Sequence, residues 1–297
     1  MKKLVVLMGP TAVGKTELSL CLAEVLHCPI ISADSRQVYK EMRIGTAAPT
    51  EQELKRVKHF FIGSHSVEEN YSAGQYEQEA LSVIEKLFEQ HDALLLVGGS
   101  MMYIDAVCKG FDEMPSIDPE IRHQVREDFK NKGIEYLQEE LKKRDPDFYE
   151  KIDLCNHQRL MRAIEVCRQT NMPFSELRKG KVAERPFQIE KIGLDLPRAE
   201  LYSRINKRVD QMLEEGLLEE AKTLYKYKGM NALNTVGYKE LFAYMDGEYD
   251  FEEAVRLIKQ DSRHYAKRQL TWFRADKDVR WFNADSVKID EIIQCIS

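Results

Sequence analysis

The stretch "GPTAVGKT" places Gly9, Pro10, Thr11, Ala12, Val13, Gly14, Lys15 and Thr16 at the spacing Gly-x-x-x-x-Gly-Lys-Thr. Its glycines let backbone N–H groups turn inward, and a following helix favours an anion at its N-terminus. Lys15 neutralises phosphate oxygens, and the Thr16 hydroxyl suits Mg²⁺ as a metal ligand. The cradle therefore specifies a di- or triphosphate and a magnesium ion. It leaves open which bond breaks.

Two further segments bear on that question. A phosphoryl-transferring enzyme usually carries a second apolar strand ending in an aspartate that helps hold Mg²⁺. Here "ALLLVGGS" ends in Gly98, Gly99 and Ser100, with no acid. Asp34, in "SADSRQVY", stands just after another short apolar run, where a doubly wound fold faces its ligand crevice. A carboxylate there can take a proton from an incoming nucleophile, or it can simply cap the next turn. Near the C-terminus, "SRHYAKRQLTWFRADKDVRW" gathers Arg263, Lys267, Arg268, Arg274, Lys277 and Arg280 around Tyr265, Trp272 and Phe273. That mixture suits phosphates and stacked bases, and it equally suits a helix with a buried aromatic side and a solvated cationic one.

Elements that could position these residues follow from periodicity. "KLVVLM", "PIISADS" and "ALLLVGGS" read as short strands, the last apolar throughout, as a parallel strand covered on both faces requires. Helical patterns stand between them: Leu18, Leu20, Leu22, Val25 and Leu26 after the cradle, then "QYEQEALSVIEKLFEQ" before the third strand. This alternation predicts an α/β fold, a P-loop NTPase-like parallel sheet flanked by helices. From about Ser116 to Lys181 the texture becomes charged and helical, which reads as an insertion. The expected organisation is a core over 1–114, a helical insertion over 115–183, and a returning part over 184–297. There "FQIEKIGLDLP" supplies a strand and long helices follow, among them one over "RAELYSRINKRVDQMLEEGLLEEAKTLYKYKG".

The net charge of −6 argues against wholesale coating by nucleic acid, while allowing a local basic face. The six cysteines show neither a Cys-x-x-Cys pair nor a histidine spaced for zinc, so reduced structural thiols are expected. The apolar run after Lys2 and Lys3 is too short for a signal peptide, and no stretch approaches a membrane span. A cytoplasmic location is expected, with no membrane partner.

Taken in order, "GPTAVGKT", "ISADSRQVYKEMRIGTAAPT", "YSAGQYEQEA", "LLVGGSMMY", "QRLMRAIEV", "RINKRVDQMLEEGL", "VGYKELFAYMDGE" and "AKRQLTWFR" resemble the bacterial tRNA dimethylallyltransferases, over nearly the whole chain. The resemblance implies an alkyl-transferring prenyltransferase. It would move a dimethylallyl group from dimethylallyl diphosphate to the exocyclic amine of the adenosine 3′-adjacent to the anticodon. The expected tRNAs read codons beginning with U, and the enzyme is expected to act as a monomer with Mg²⁺. The bond broken is then C–O, which answers the missing acid. On this resemblance Asp34 is the general base, Arg208 stabilises the diphosphate, and Thr11 joins them as catalytic, with the cradle residues Gly9 to Thr16 binding the diphosphate. Positions matching tRNA contacts are Asp34, Ser35, Arg36, Gln37, Ser100, Arg122, Gln158, Arg159, Leu160, Met161, Arg162, Asn234, Thr235, Val236, Gly237, Tyr238 and Lys239.

Two stretches depart from the family pattern. "GGSMMY" stands where many relatives have Gly-Gly-Thr-Gly-Leu-Tyr, so Ser100 keeps a hydroxyl while Met101 adds bulk. "CNHQR" replaces the usual Asn-Asp-Pro-Gln-Arg. Two rival activities use the same cradle: a small-molecule or nucleoside kinase, and an isopentenyltransferase acting on free AMP.

Overall fold

The structure is a computed structural model that describes residues 2–112, 114–180 and 182–296. Met1, Glu113, Lys181 and Ser297, which fall within the predicted segments, lie outside the described residues. The strands are β1 (Lys3–Met8), β2 (Ile30–Ala33), β3 (His59–Phe60), β4 (Ala93–Gly98), β5 (Gln188–Asp195) and β6 (Val279–Asn283). They form one parallel sheet in the order β3-β2-β4-β1-β5-β6. Leu4 to Leu7 and Leu94 to Leu96 are fully buried, as their unbroken apolar character demands of central strands.

Helices α1 (Lys15–Val25), α2 (Glu51–Arg56), α3 (Ala73–Phe88) and α4 (Met101–Lys109) belong to the first half of the chain. The family-like stretch "YSAGQYEQEA" has a local reason. Ser72 accepts from the Gln75 N–H and the Gln75 side chain accepts from the Ser72 N–H, a capping box that starts α3.

The chain forms two compact units, one of residues 1–108 with 184–297 and one of residues 109–183. The second unit comprises α5 (Pro119–Arg144), α6 (Pro146–Tyr149), α7 (His157–Thr170) and α8 (Phe174–Leu177). It has its own core, which includes Val125, Leu137, Leu141, Leu160 and Ile164. Gly133, at φ 80°, interrupts α5 because its backbone enters a region that L side chains rarely adopt.

The returning part of the first unit contributes β5, then α9 (Arg198–Glu214), α10 (Leu217–Leu224), α11 (Tyr238–Met245), α12 (Phe251–Arg274), β6 and α13 (Ile289–Ile296). Three features depart from the sequence reading. The single long helix expected after Arg198 is two, broken where Gly216 turns left-handed at φ 104°. β3 and β6 are edge strands of two and five residues, too short or too polar in pattern to stand out. Val25, expected on the apolar stripe of α1, is 51% exposed.

Register decides where the site lies. Met8 of β1 pairs with Gly98 of β4, and Gly98 pairs with Ala33 of β2. The next residues, Gly9, Asp34 and Gly99, therefore leave the sheet together at its carboxyl edge, the position where open α/β sheets bind ligands.

Candidate active site

The cradle is built from backbone. Ala12 and Gly14 both take left-handed conformations, at φ 63° and 104°, and Gly14 caps α1. Such a turn running into a helix aims successive N–H groups at one point, an anion-binding nest. Ala12 carries a Cβ in that region at a cost of order 1 kcal/mol, local strain of the kind found at functional sites. Gly9 admits no side chain, since a Cβ would lie 2.8 Å from the Leu194 carbonyl oxygen of the neighbouring strand. Val13 faces inward and is fully buried, so it contributes backbone alone.

Two cations converge on this nest. Lys15 Nζ donates to the Gly9 and Pro10 carbonyls at 2.9 and 2.8 Å. Burial, and then the Arg208 guanidinium, push its ammonium down to about 7, opposed by Asp34. Arg208 lies on α9 along the stripe of Leu201, Ile205 and Val209 that seats the helix on the core. Its Nη1 donates to Thr11 Oγ1 at 3.4 Å. Burial lowers its pKa too, with Asp34 and Glu215 opposing. Two partly desolvated cations that repel each other favour an anion between them. The Thr16 hydroxyl is exposed at the start of α1.

Asp34 performs the capping role and still faces the cations. Its Oδ1 accepts the N–H groups of Arg36 and Gln37 at 2.9 and 3.2 Å, while among the described residues none hydrogen-bonds Oδ2. Behind it, Ser100 Oγ accepts the Ser35 N–H at 2.7 Å and donates to Ser35 Oγ at 3.1 Å. Tyr265 of α12 lies near Ser100 and Asp34, and burial followed by the Asp34 charge pushes its phenol up to about 12. The hydroxyl at position 100 thus ties the end of β4 to the loop that carries Asp34, which explains what Ser100 preserves.

Packing at the end of β4 bears on the missing acid. A Cβ on Gly98 would lie 2.1 Å from the Ala33 carbonyl oxygen, and one on Gly99 would lie 2.4 Å from Gln269 Nε2. Gly98 cannot carry an aspartate while β2 stays where it is, and a side chain at Gly99 would displace the Gln269 amide.

Other residues singled out from the sequence divide by burial. Arg36 Nη1 donates to the Asn231 carbonyl at 3.1 Å, and Gln37 Nε2 binds the Thr46 and Ala47 carbonyls, bracing its own loop. Asn234, Thr235 and Val236 line the approach to α11 with exposed or half-buried side chains. Among the positions matched to tRNA contacts, Tyr238 turns its side chain into the protein. It is fully buried and donates to Glu220 Oε1 at 2.6 Å, while Gly237 is buried beside it. Lys239 is exposed and paired with Asp261 at 2.7 Å. Glu220 also accepts the N–H groups of Arg43, Ile44 and Gly45, so it joins "IGTA" to "VGYKE". Gly45 is obligatory there because a Cβ would lie 2.6 Å from the Tyr238 ring.

In the second unit, Leu160 and Met161 likewise enter the core, whereas Gln158 and Arg159 are exposed. Asn156 caps α7 by accepting from the Arg159 N–H at 3.2 Å, so "CNHQR" still starts the helix that presents them. Arg122 and Arg162 reach the same buried carboxylate, Glu165, at 3.8 and 3.5 Å.

Sequence reasoning passed over Gln269, Glu220 and Glu165. Gln269 did carry a signal: it falls between Ala266 and Phe273 on the buried stripe of α12, where a polar side chain must find partners.

Comparison with known proteins agrees with this geometry. The family model for IPP transferase matches residues 37–276. A Bacteroides fragilis protein named tRNA dimethylallyltransferase 1 is 52% identical over 97% of this chain and 95% of its own length. A Flavobacterium johnsoniae tRNA dimethylallyltransferase is 50% identical over 100% of this chain and 97% of its own. The crystal structure of a Bacillus halodurans tRNA isopentenylpyrophosphate transferase superimposes with TM-score 0.72 at 38% identity, covering 99% of this chain and 94% of that one. A eukaryotic dimethylallyltransferase captured acting on tRNA gives 0.83 at 26% identity, covering 99% and 78%. With its cradle, its acid-free strand end and these relatives along its full length, the chain belongs to the IPP transferase family.

Proposed function

We propose that this protein transfers a dimethylallyl group from dimethylallyl diphosphate to the exocyclic amine of the adenosine 3′-adjacent to the anticodon in tRNA. The observation that carries the reading is the convergence of Lys15 and Arg208 on a backbone nest, opposite Asp34, at a strand end that carries no metal-holding acid.

The chemistry follows from those positions. An exocyclic amine is a weak nucleophile, so the reaction needs a stabilised leaving group and an allylic carbon able to bear positive charge. As the C–O bond lengthens, negative charge grows on the diphosphate, where Lys15, Arg208 and the nest N–H groups offset it. The C–N bond forms on the opposite side of the carbon. The amine proton passes to Asp34 Oδ2 as that bond forms, while Oδ1 keeps the turn closed. Ser35, Ser100 and Tyr265 supply hydroxyls around the acceptor. Adenine has to leave its stack to reach this edge, at a cost of a few kcal/mol. The exposed arginines of the second unit are suited to offset that cost by holding RNA.

Magnesium fits this donor set. Among the described residues no cluster of three His, Cys, Asp or Glu side chains could hold a metal. The ion would take Thr16 Oγ1, substrate phosphate oxygens and water, as Mg²⁺ commonly does, and would supply further charge neutralisation on the leaving group.

Incubation with labelled dimethylallyl diphosphate and an unmodified anticodon stem-loop tests the proposal, with free AMP as competitor. Prenylated adenosine in the RNA is the expected product. Label in AMP alone, or γ-phosphoryl transfer from ATP with no prenylation, would refute it.

A further inference from the structure

One N–H of the cradle does not face the anion. Thr11 N–H donates to Gln269 Oε1 at 2.9 Å, and Gln269 Nε2 donates to the Gly99 carbonyl at 2.8 Å. Gln269 is 1% exposed, and both ends of its amide are used.

Its two partners stand in different halves of the site. Thr11 opens the loop that would hold the leaving group, and its hydroxyl accepts from Arg208. Gly99 precedes Ser100, whose hydroxyl holds Ser35 beside Asp34, where the acceptor base would lie. A primary amide is the side chain suited to bridge them, since it accepts from an N–H and donates to a C=O in one plane. A carboxylate has no donor for Gly99, and an ammonium has no acceptor for Thr11. The fit is tight, because a methyl group on Gly99 would collide with Nε2.

We propose that Gln269 is a positioning residue that sets the register between the allylic diphosphate and the acceptor amine, and thereby keeps the allylic carbon from water. This inference rests on the prenyl transfer proposed above. Once the C–O bond weakens, either of two nucleophiles can take the carbon. The adenine amine gives prenylated adenosine and diphosphate. Water forms a new C–O bond and loses its proton to solvent, giving dimethylallyl alcohol and diphosphate. Each route releases one diphosphate, so the ratio of diphosphate released to adenosine prenylated reports register. That ratio is independent of how much of the protein is active.

Two variants test this. Gln269→Glu keeps the shape and loses the donor to Gly99, while Gln269→Asn keeps the amide and is too short to span both partners. With anticodon stem-loop RNA as acceptor, wild type is expected to release one diphosphate per prenyl group transferred. In the variants transfer should slow by about 10- to 100-fold, in keeping with sub-ångström to ångström misplacement, and the ratio should rise clearly above one. A ratio that stays at one in both variants overturns the inference, because a simple loss of active protein leaves it unchanged. Loss of native circular dichroism in both also overturns it, since Gln269 would then be a requirement of folding. Wild type that consumes no dimethylallyl diphosphate instead refutes the parent reading.

Discussion

Binding of diphosphate above neutral pH should draw in a proton, and Lys15 is the group that should receive it. In the free protein, burial and Arg208 hold its ammonium at about 7 against an ordinary 10.5. A bound diphosphate supplies the missing negative charge and returns the group to its charged form. At about pH 8 roughly nine-tenths of Lys15 is neutral in the free protein, so binding takes up ~0.9 proton; at about pH 6 it takes up ~0.1. Each pH unit above 7 then weakens diphosphate binding about tenfold, or about 1.4 kcal/mol, until the ordinary lysine range is reached. Titration calorimetry in buffers of different ionisation enthalpy measures the uptake directly. Lys15→Met removes the titrating group, and the difference between the two proteins cancels the ligand's own protonation. The neighbours set further signs. Arg208 depresses Lys15, so Arg208→Ala should move the midpoint up, while Asp34 raises it, so Asp34→Asn should move it down. Proton uptake that is the same in wild type and Lys15→Met at about pH 8 would refute the reasoning, since it would mean that the lysine is already charged in the free site.

Three further outcomes are expected. Asp34→Asn can still accept the Arg36 and Gln37 N–H groups, so the turn should persist while turnover falls by about 10²- to 10⁴-fold; wild-type turnover would reduce Asp34 to a cap. Gly98→Ala should destabilise the fold by about 3 kcal/mol in urea titrations, because its Cβ would meet the Ala33 carbonyl in a sheet held on both sides; a loss within error would mean that β2 and β4 separate freely. Glu165→Gln removes the carboxylate that orients Arg122 and Arg162, so with the two guanidiniums no longer held in place the KM for stem-loop RNA should rise about three- to tenfold with kcat unchanged. Simple relief of repulsion predicts the opposite sign, and a lower KM would show that Glu165 only screens the arginines.

Local order left clear traces in the chain. Strands covered on both faces must be apolar throughout, and a phosphate nest needs glycines and a lysine at set intervals, so β1, β4 and the cradle are readable from residue types alone. The "QRLMR" of α7 and the acid-free "LLLVGGS" are likewise readable from residue types. The edge strands β3 and β6 are not, because two or five residues carry too little periodicity. Tyr238, Leu160 and Met161 resemble their neighbours in motif, yet burial separates them from any RNA-facing role for their side chains.

Residue types alone assign a cradle suited to a di- or triphosphate and a strand, "ALLLVGGS", that ends without a carboxylate. The reason for that missing carboxylate lies in the packing around the strand end. Gly98 excludes a side chain because the β2 backbone presses against it, and Gln269 crosses from α12 over Gly99 to join the cradle to that strand end. Thr11 and Gln269 are 258 residues apart in the chain. A hydrogen bond between such distant positions leaves no periodic signal, because it depends on how the sheet register and the last long helix bring two loops to one edge.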